Sequence, residues 1–196
     1  MAKNTREKIL KAALKLFSKK GYLGATTKEI AAEAGIAEVT LFRYFPSKKT
    51  LFKEVINTYS FLPKLKEIIK SYENRSYKEA LEQIAYNFLK LLEENKDLIR
   101  IMHSEMQRYP VEIKKIHDNV VESIIKVLAG YFKLLQEKGI IRDFNVELGA
   151  RAFLGMLFSY FYVKEIKGQK DTSSEEVWKV VKSYVDFFIN GTLVQK

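Results

Sequence analysis

Between Thr26 and Lys48 the chain writes two short helices around a glycine, and this stretch restricts the fold more tightly than any other. Thr26 can accept a hydrogen bond from the third residue of a helix while Glu29, three residues on, reaches back to the cap's own amide, a reciprocal pattern that starts helices. Gly35 stops that helix, because the residue just past a helix often needs a left-handed backbone, which costs glycine least. The turn is tight. Ile30, Ala31, Ala34, Ile36 and Leu41 supply the small and aliphatic contacts that lock two crossing helices, leaving Glu38, Val39, Thr40, Phe42, Arg43 and Tyr44 to face outward.

Charge gathers on the same segment. Residues 1–53 hold 12 Lys and Arg against 4 Asp and Glu, a net +8 of the chain's +10, whereas the remaining 143 residues carry 22 against 20. A basic excess confined to one segment is the footprint of a polyanion partner, since an ordinary solvated surface spreads its charge along the chain. The aromatic and basic run Phe42-Arg43-Tyr44-Phe45-Pro46-Ser47-Lys48 is costly to leave on a surface without a partner. Together these features predict a helix-turn-helix reader of double-stranded DNA.

The first 50 or so residues resemble the DNA-binding domain of the TetR family of bacterial transcriptional regulators. The likeness rests on an opening helix with Ile9, Leu10, Ala12, Ala13, Leu16 and Phe17, then Gly21-Tyr22, Thr26-Thr27, Ile30-Ala31, Ala34-Gly35, Thr40-Leu41-Phe42, Tyr44-Phe45 and Lys48, all in family order. It implies phosphate contacts at Thr27, Tyr44 and Lys48, whose hydroxyls and ammonium can donate to phosphate oxygens and so fix register without reading sequence. Base contacts fall to Thr40 and Arg43, with Glu38, Val39 and Phe42 beside them. Arginine can pair with guanine O6 and N7, and threonine can offer a hydroxyl to a base or a methyl to thymine. Three positions depart from the family pattern. Phe42 replaces a common tyrosine, Ala37 removes a capping hydroxyl at a cost of about 1 kcal/mol, and Glu38 puts an acid where lysine is frequent. Near phosphates an acid repels unless it accepts from a cytosine amino group, so Glu38 is expected to read cytosine or to exclude wrong sites.

The 196 residues, 47% hydrophobic, suffice for a small domain at 1–47 and a larger one at 48–196. Cysteine is absent, which excludes disulfides and thiolate metal sites and fits a reducing compartment. The polar stretch Met1 to Lys8 does not read as a signal peptide. The longest apolar run, Phe153 to Val163, spans 11 residues, against the roughly 20 that cross a bilayer. A cytoplasmic location without membrane partners is therefore expected.

Beyond residue 50 the apolar period is helical throughout. One helix is predicted from Lys48 to about Phe61, with Pro63 ending or kinking it and a continuation through Leu65, Ile68 and Ile69. Ser76 with Glu79 opens the next to about Glu94, Asn95 caps another that ends before Pro110, and Pro110 begins a long helix that stops at Gly139. Asn145 opens a helix to Gly168, and Ser173 with Glu176 opens the last, to about Asn190. The expected fold is all-α: a three-helix DNA-binding domain and a helical ligand-binding and dimerisation domain, about nine helices in all.

The resemblance implies a ligand pocket among the middle helices, with candidates Tyr59, Phe61, Tyr86, Leu89, Met102, His103, Met106 and Ile124. Apolar residues at helical spacing more often pack than line a pocket, so the group is safer than its members. The segment from Glu105 to Pro110, with Gly139-Ile140-Ile141-Arg142 and Gly155-Met156, resembles the regulatory domain of multidrug-efflux repressors, which implies a bulky, mainly apolar or cationic effector. The last two helices carry more aromatic surface than one core hides. Phe158, Phe161, Tyr162, Trp178, Tyr184 and Phe188 are thus expected at a homodimer interface, the mode the resemblance implies. An enzyme has little to build on: no phosphate-binding glycine loop, and two histidines, His103 and His117, without triad company. No cofactor or metal is expected. The alternatives are a nucleoid-associated protein that binds DNA without sequence preference, or a helical enzyme.

Overall fold

The computed structural model describes residues 2–72, 76–166 and 173–193. Ten α-helices carry the described chain: α1 (Ala2–Gly24), α2 (Thr27–Glu33), α3 (Glu38–Tyr44), α4 (Lys48–Tyr59), α5 (Leu62–Ser71), α6 (Tyr77–Glu94), α7 (Lys96–Glu105), α8 (Val111–Glu137), α9 (Val146–Ile166) and α10 (Ser174–Thr192). Among the described residues the only β pairing is an isolated antiparallel bridge between Ile141 and Leu193. Among the described residues no helix is long and apolar enough to cross a membrane. The expected helix end at Gly168, and Met1 of the amino-terminal stretch, lie outside the described residues.

The helix added to the expected nine comes from a break. Ser60 is extended (φ −73°, ψ 169°), so the predicted linking helix ends at Tyr59 and restarts at Leu62 with Pro63 in its first turn. Proline cannot continue a helix through its interior but suits a first turn, so the break falls just upstream of it. Asn95 occupies the cap position of α7 without a capping side-chain bond, unlike the expectation. Asn145 does cap α9, its Oδ1 accepting from the Leu148 amide at 3.0 Å. The Ser173–Glu176 capping box of α10 forms in both directions.

Two compact units divide the chain, one of residues 1–60 and 95–120, the other of residues 61–94 and 121–196. In the first, α1 packs on α2, α4 and α7, and α2 on α3. Ile9, Ala13, Phe17, Ile30, Leu41, Leu51, Phe52 and Val55 are fully buried there. Phe17 meets Phe52 edge-on at 5.1 Å, and Tyr22 meets Phe52 at 5.0 Å, the geometry that ring quadrupoles favour. Truncating such a residue, for instance Leu41→Ala, costs about 2–5 kcal/mol.

In the second unit α6 packs on α5, α9 and α10. Phe132, Phe153 and Phe188 form one aromatic stack, Phe188 lying 5.6 Å from Phe132 and 5.0 Å from Phe153. Two of the six expected interface residues lie inside the subunit. Phe188 and Phe161 are 9% and 3% exposed, because they face their own core and leave almost nothing for a partner. Trp178 and Tyr184 are half-buried and engaged within the subunit, Trp178 stacked on Tyr86 at 4.5 Å and Tyr184 edge-on to Tyr160. Phe158 is exposed and stacks on half-buried Tyr162. Phe187, which is not among the expected interface residues, is 74% exposed.

Candidate nucleic-acid interface

The two short helices form as their caps dictate. Thr26 accepts from the Glu29 amide and Glu29 reaches back to the Thr26 amide, closing the capping box. Lys20 adds an ion pair to Glu29 at 2.6 Å. These bonds, Lys20's first and then those of Thr26, hold the Glu29 carboxyl down at about 2. At the other end of α2, Gly35 takes φ +69° and the Ile36 amide donates back to Ala31 at 3.0 Å, so the expected left-handed turn is in place.

Helix α3 starts without a side-chain cap, since Ala37 has none to give. Glu38, in its first turn, substitutes in two ways. Its carboxylate lies where the helix dipole favours negative charge, and it accepts from the Thr27 hydroxyl at 2.6 Å. That bond ties the starts of the two helices together. It also joins a predicted phosphate contact to a predicted base contact: while the bond holds, the Thr27 proton is spent on Glu38.

Leu41 is fully buried and anchors α3, while Val39, Phe42 and Arg43 are exposed. Their spacing of three and four residues puts them on one helical face. Val39 is 69% exposed, an expensive placement for an apolar side chain unless a partner covers it. Glu38, Thr40 and Tyr44 are half-buried on the flanks.

Lys48 opens α4 behind the Ser47 cap, whose hydroxyl oxygen accepts from the Thr50 amide at 3.0 Å. Its ammonium sits over the Tyr22 ring, 4.7 Å from the centroid, and reaches the Leu23 carbonyl at 3.5 Å. Burial lowers its pKa from the usual lysine value. Tyr22 is held in turn: its amide donates to the Tyr109 hydroxyl at 3.4 Å, and the two rings meet edge-on. Burial, with help from the facing Glu105 carboxylate, pushes the Tyr109 hydroxyl up to about 12, so it stays a donor at neutral pH. The Glu105 Oε2 is buried without a hydrogen-bond partner and lies where a side chain on Gly21, at φ +69°, would collide with it. Tyr22 thus lies beneath Lys48 with Tyr109 against it, an arrangement the sequence pattern does not single out. The available signals were the Gly21-Tyr22 pair and the four-residue spacing of Glu105 and Tyr109.

The ligand-pocket candidates divide between the two units. Tyr59, Met102, His103 and Met106 belong to the first, where Met102 is buried and His103 is exposed. Phe61, Tyr86, Leu89 and Ile124 belong to the second, where Phe61 is buried against Phe88 at 5.0 Å and Ile124 is buried. Only Tyr86 and Leu89 line a described cleft, of about 240 Å³, among α6, α9 and α10. A larger open groove between α1 and α7, about 770 Å³, is lined by Lys11, Lys15, Lys19 and Arg100 among others and by none of the eight. Among the described residues no group of three or more His, Cys, Asp or Glu is placed to hold a metal ion.

A family profile described as bacterial regulatory proteins, tetR family, matches residues 9–55, and one for the C-terminal domain of AefR-like transcriptional repressors matches residues 79–191. The chain belongs to the TetR family. It is 32% identical to the uncharacterized HTH-type transcriptional regulator YvkB of Bacillus subtilis over 95% of this chain and 96% of that protein. A crystal structure of a TetR-family transcriptional regulator from Mesorhizobium loti superposes with a TM-score of 0.82 at 25% identity, covering 97% of each chain. The nucleoid occlusion factor SlmA of an Enterobacter strain is 29% identical over 91% of this chain and 93% of its own. Family membership makes this chain a DNA-binding regulator and not an enzyme.

Proposed function

We propose that this TetR-family chain is a cytoplasmic homodimeric repressor that leaves a near-palindromic operator when a small, mainly apolar effector binds. Residues 1–47 read DNA and residues 48–196 dimerise and bind the effector. The observation that carries the reading is the single exposed face of α3, Val39, Phe42 and Arg43, flanked by Thr27, Tyr44 and Lys48. Arg43 and Thr40 read base edges, Val39 and Phe42 meet thymine methyls, and the flanking groups hold phosphates.

Dimerisation through α9 and α10 is supported by exposed Phe158 and Phe187 and by exposed Ala152, Gly155, Ser159 and Gly191. A side chain at Gly155 or Gly191 would meet nothing within 4 Å of its Cβ, so close approach by another helix is a use for both. A two-fold dimer sets its reading helices about 34 Å, or a multiple, apart. An effector that prefers a differently spaced dimer a hundredfold contributes about 2.7 kcal/mol, enough to release a repressor near its midpoint.

The likeness to a nucleoid occlusion factor favours a second reading, an architectural protein that covers DNA broadly. Footprinting on long genomic fragments separates the two. Discrete sites of one to two helical turns support the repressor, whereas uniform protection at every register supports the architectural role.

A further inference from the structure

The cleft among α6, α9 and α10 holds a buried lysine in a lining that is apolar on one side and charged at its rim. Lys164, on α9, is 6% exposed, and among the described residues its ammonium makes one hydrogen bond, to Glu93 Oε2 at 3.1 Å. An ammonium has three donors, and removing it from water is costly unless they are used. The pair is asymmetric. The Glu93 side chain is 30% exposed against 6% for Lys164, so the carboxylate is the more hydrated member of the pair and the cation the more buried. Lys90 and Glu94, also at the rim, face each other at 3.9 Å and cancel locally. Around the Lys164–Glu93 pair the lining is Tyr86, Leu89, Tyr160, Phe161, Ser174 and Val177, a mainly apolar wall whose most buried charge is the ammonium.

We infer that this cleft binds a small amphipathic monocarboxylate, its apolar ring or short chain lying against Tyr86, Leu89 and Phe161 and its carboxylate taking the spare donors of Lys164. The volume of about 240 Å³ is below the roughly 300–1,000 Å³ typical of drug-sized ligands, which limits the occupant to about a dozen non-hydrogen atoms. Charge decides the class. A cationic ligand would meet a buried ammonium, and a neutral one would leave its donors unanswered. This deepens the effector-release reading and rests on it only for the consequence at DNA.

Binding has its own reporter. Trp178 is the only tryptophan in the chain and stacks on Tyr86, with ring planes 13° apart. The full-length protein is titrated with 3-cyclohexylpropionate, which does not absorb where tryptophan does, and with the alcohol and amine of the same skeleton. The inference predicts a saturable change in Trp178 emission with the acid and at least tenfold weaker binding of the amine. Lys164→Met weakens the acid at least tenfold, and Glu93→Gln, which removes the competing carboxylate and leaves the cation in place, tightens it several-fold. Equal binding of acid and amine, no saturable response to the acid, or Glu93→Gln weakening the acid in a protein with a wild-type melt would overturn the site. A parallel DNA-binding measurement separates the two claims. Saturable carboxylate binding that leaves DNA affinity unchanged supports the site while contradicting its role in release.

Discussion

Glu38 is the residue at which the physical forces on the reader pull apart, and Glu38→Gln resolves them. The carboxylate accepts from Thr27 at 2.6 Å, and a hydrogen bond to a charged acceptor contributes about 1.5–3 kcal/mol against about 0.5–1.5 for a neutral one. Glutamine keeps the acceptor but loosens the bond, which frees the Thr27 hydroxyl for phosphate at roughly 1 kcal/mol less cost. Removing one negative charge on the order of 7 Å from phosphate adds about 0.6 kcal/mol in water, roughly halved by salt screening. Both effects favour non-specific DNA, and together they predict about five- to tenfold tighter binding per subunit to random duplex. The loss at the start of α3 is about 0.3–1 kcal/mol and appears in the melt, not in affinity. Fluorescence anisotropy on a random-sequence duplex at two salt concentrations measures it, with Thr27→Val/Glu38→Gln as control. In the double variant only the charge term survives, a gain of about twofold. Unchanged or weaker binding by Glu38→Gln would refute the view that Glu38 restrains generic contact.

Gly21→Ala and Gly35→Ala share a backbone strain at φ +69° of about 1–2 kcal/mol, but only the first also collides with Glu105; chemical denaturation should show Gly21→Ala the more destabilising, with added Glu105→Ala recovering the difference. Tyr22→Leu removes the ring beneath Lys48, about 0.5–1 kcal/mol of cation–π attraction, and should weaken operator binding two- to fivefold in anisotropy while Tyr22→Phe leaves it near wild type. The depressed carboxyl of Glu29 favours the folded state above its ordinary value near 4.5 and loses that advantage as pH falls toward about 2. The melting difference between wild type and Glu29→Gln should therefore be full at pH 6, shrink below pH 4.5 and vanish near pH 2.

Local rules carried the reading of the sequence where structure is local. The capping boxes at Thr26 and Ser173, the left-handed turn at Gly35 and the cap at Asn145 depend on residues three or four apart, and they form as their spacing implies. Pro63 marks a break in the linking helix, but its place, at Ser60, lies upstream of the proline, and periodicity does not fix it. Aromatic residues were harder still. Phe158, Phe161, Phe187 and Phe188 are chemically alike, and packing alone decides that two are exposed and two buried. The bond from Thr27 to Glu38 spans 11 positions, and that from Tyr22 to Tyr109 spans 87. No periodic pattern encodes either. The same holds for Lys164, which reads as one more charge on an apolar helix until Glu93, 71 positions away, is found beside it.

Sequence reading by α3 in a two-fold dimer is open to test by selecting bound duplexes from a random pool with the full-length protein. The selected sequences should form an inverted repeat with half-sites centred about 10 base pairs, or a small multiple, apart, and Arg43→Ala should lose preference at one position per half-site. A selected pool with no consensus, or a consensus that Arg43→Ala leaves unchanged at every position, would contradict it.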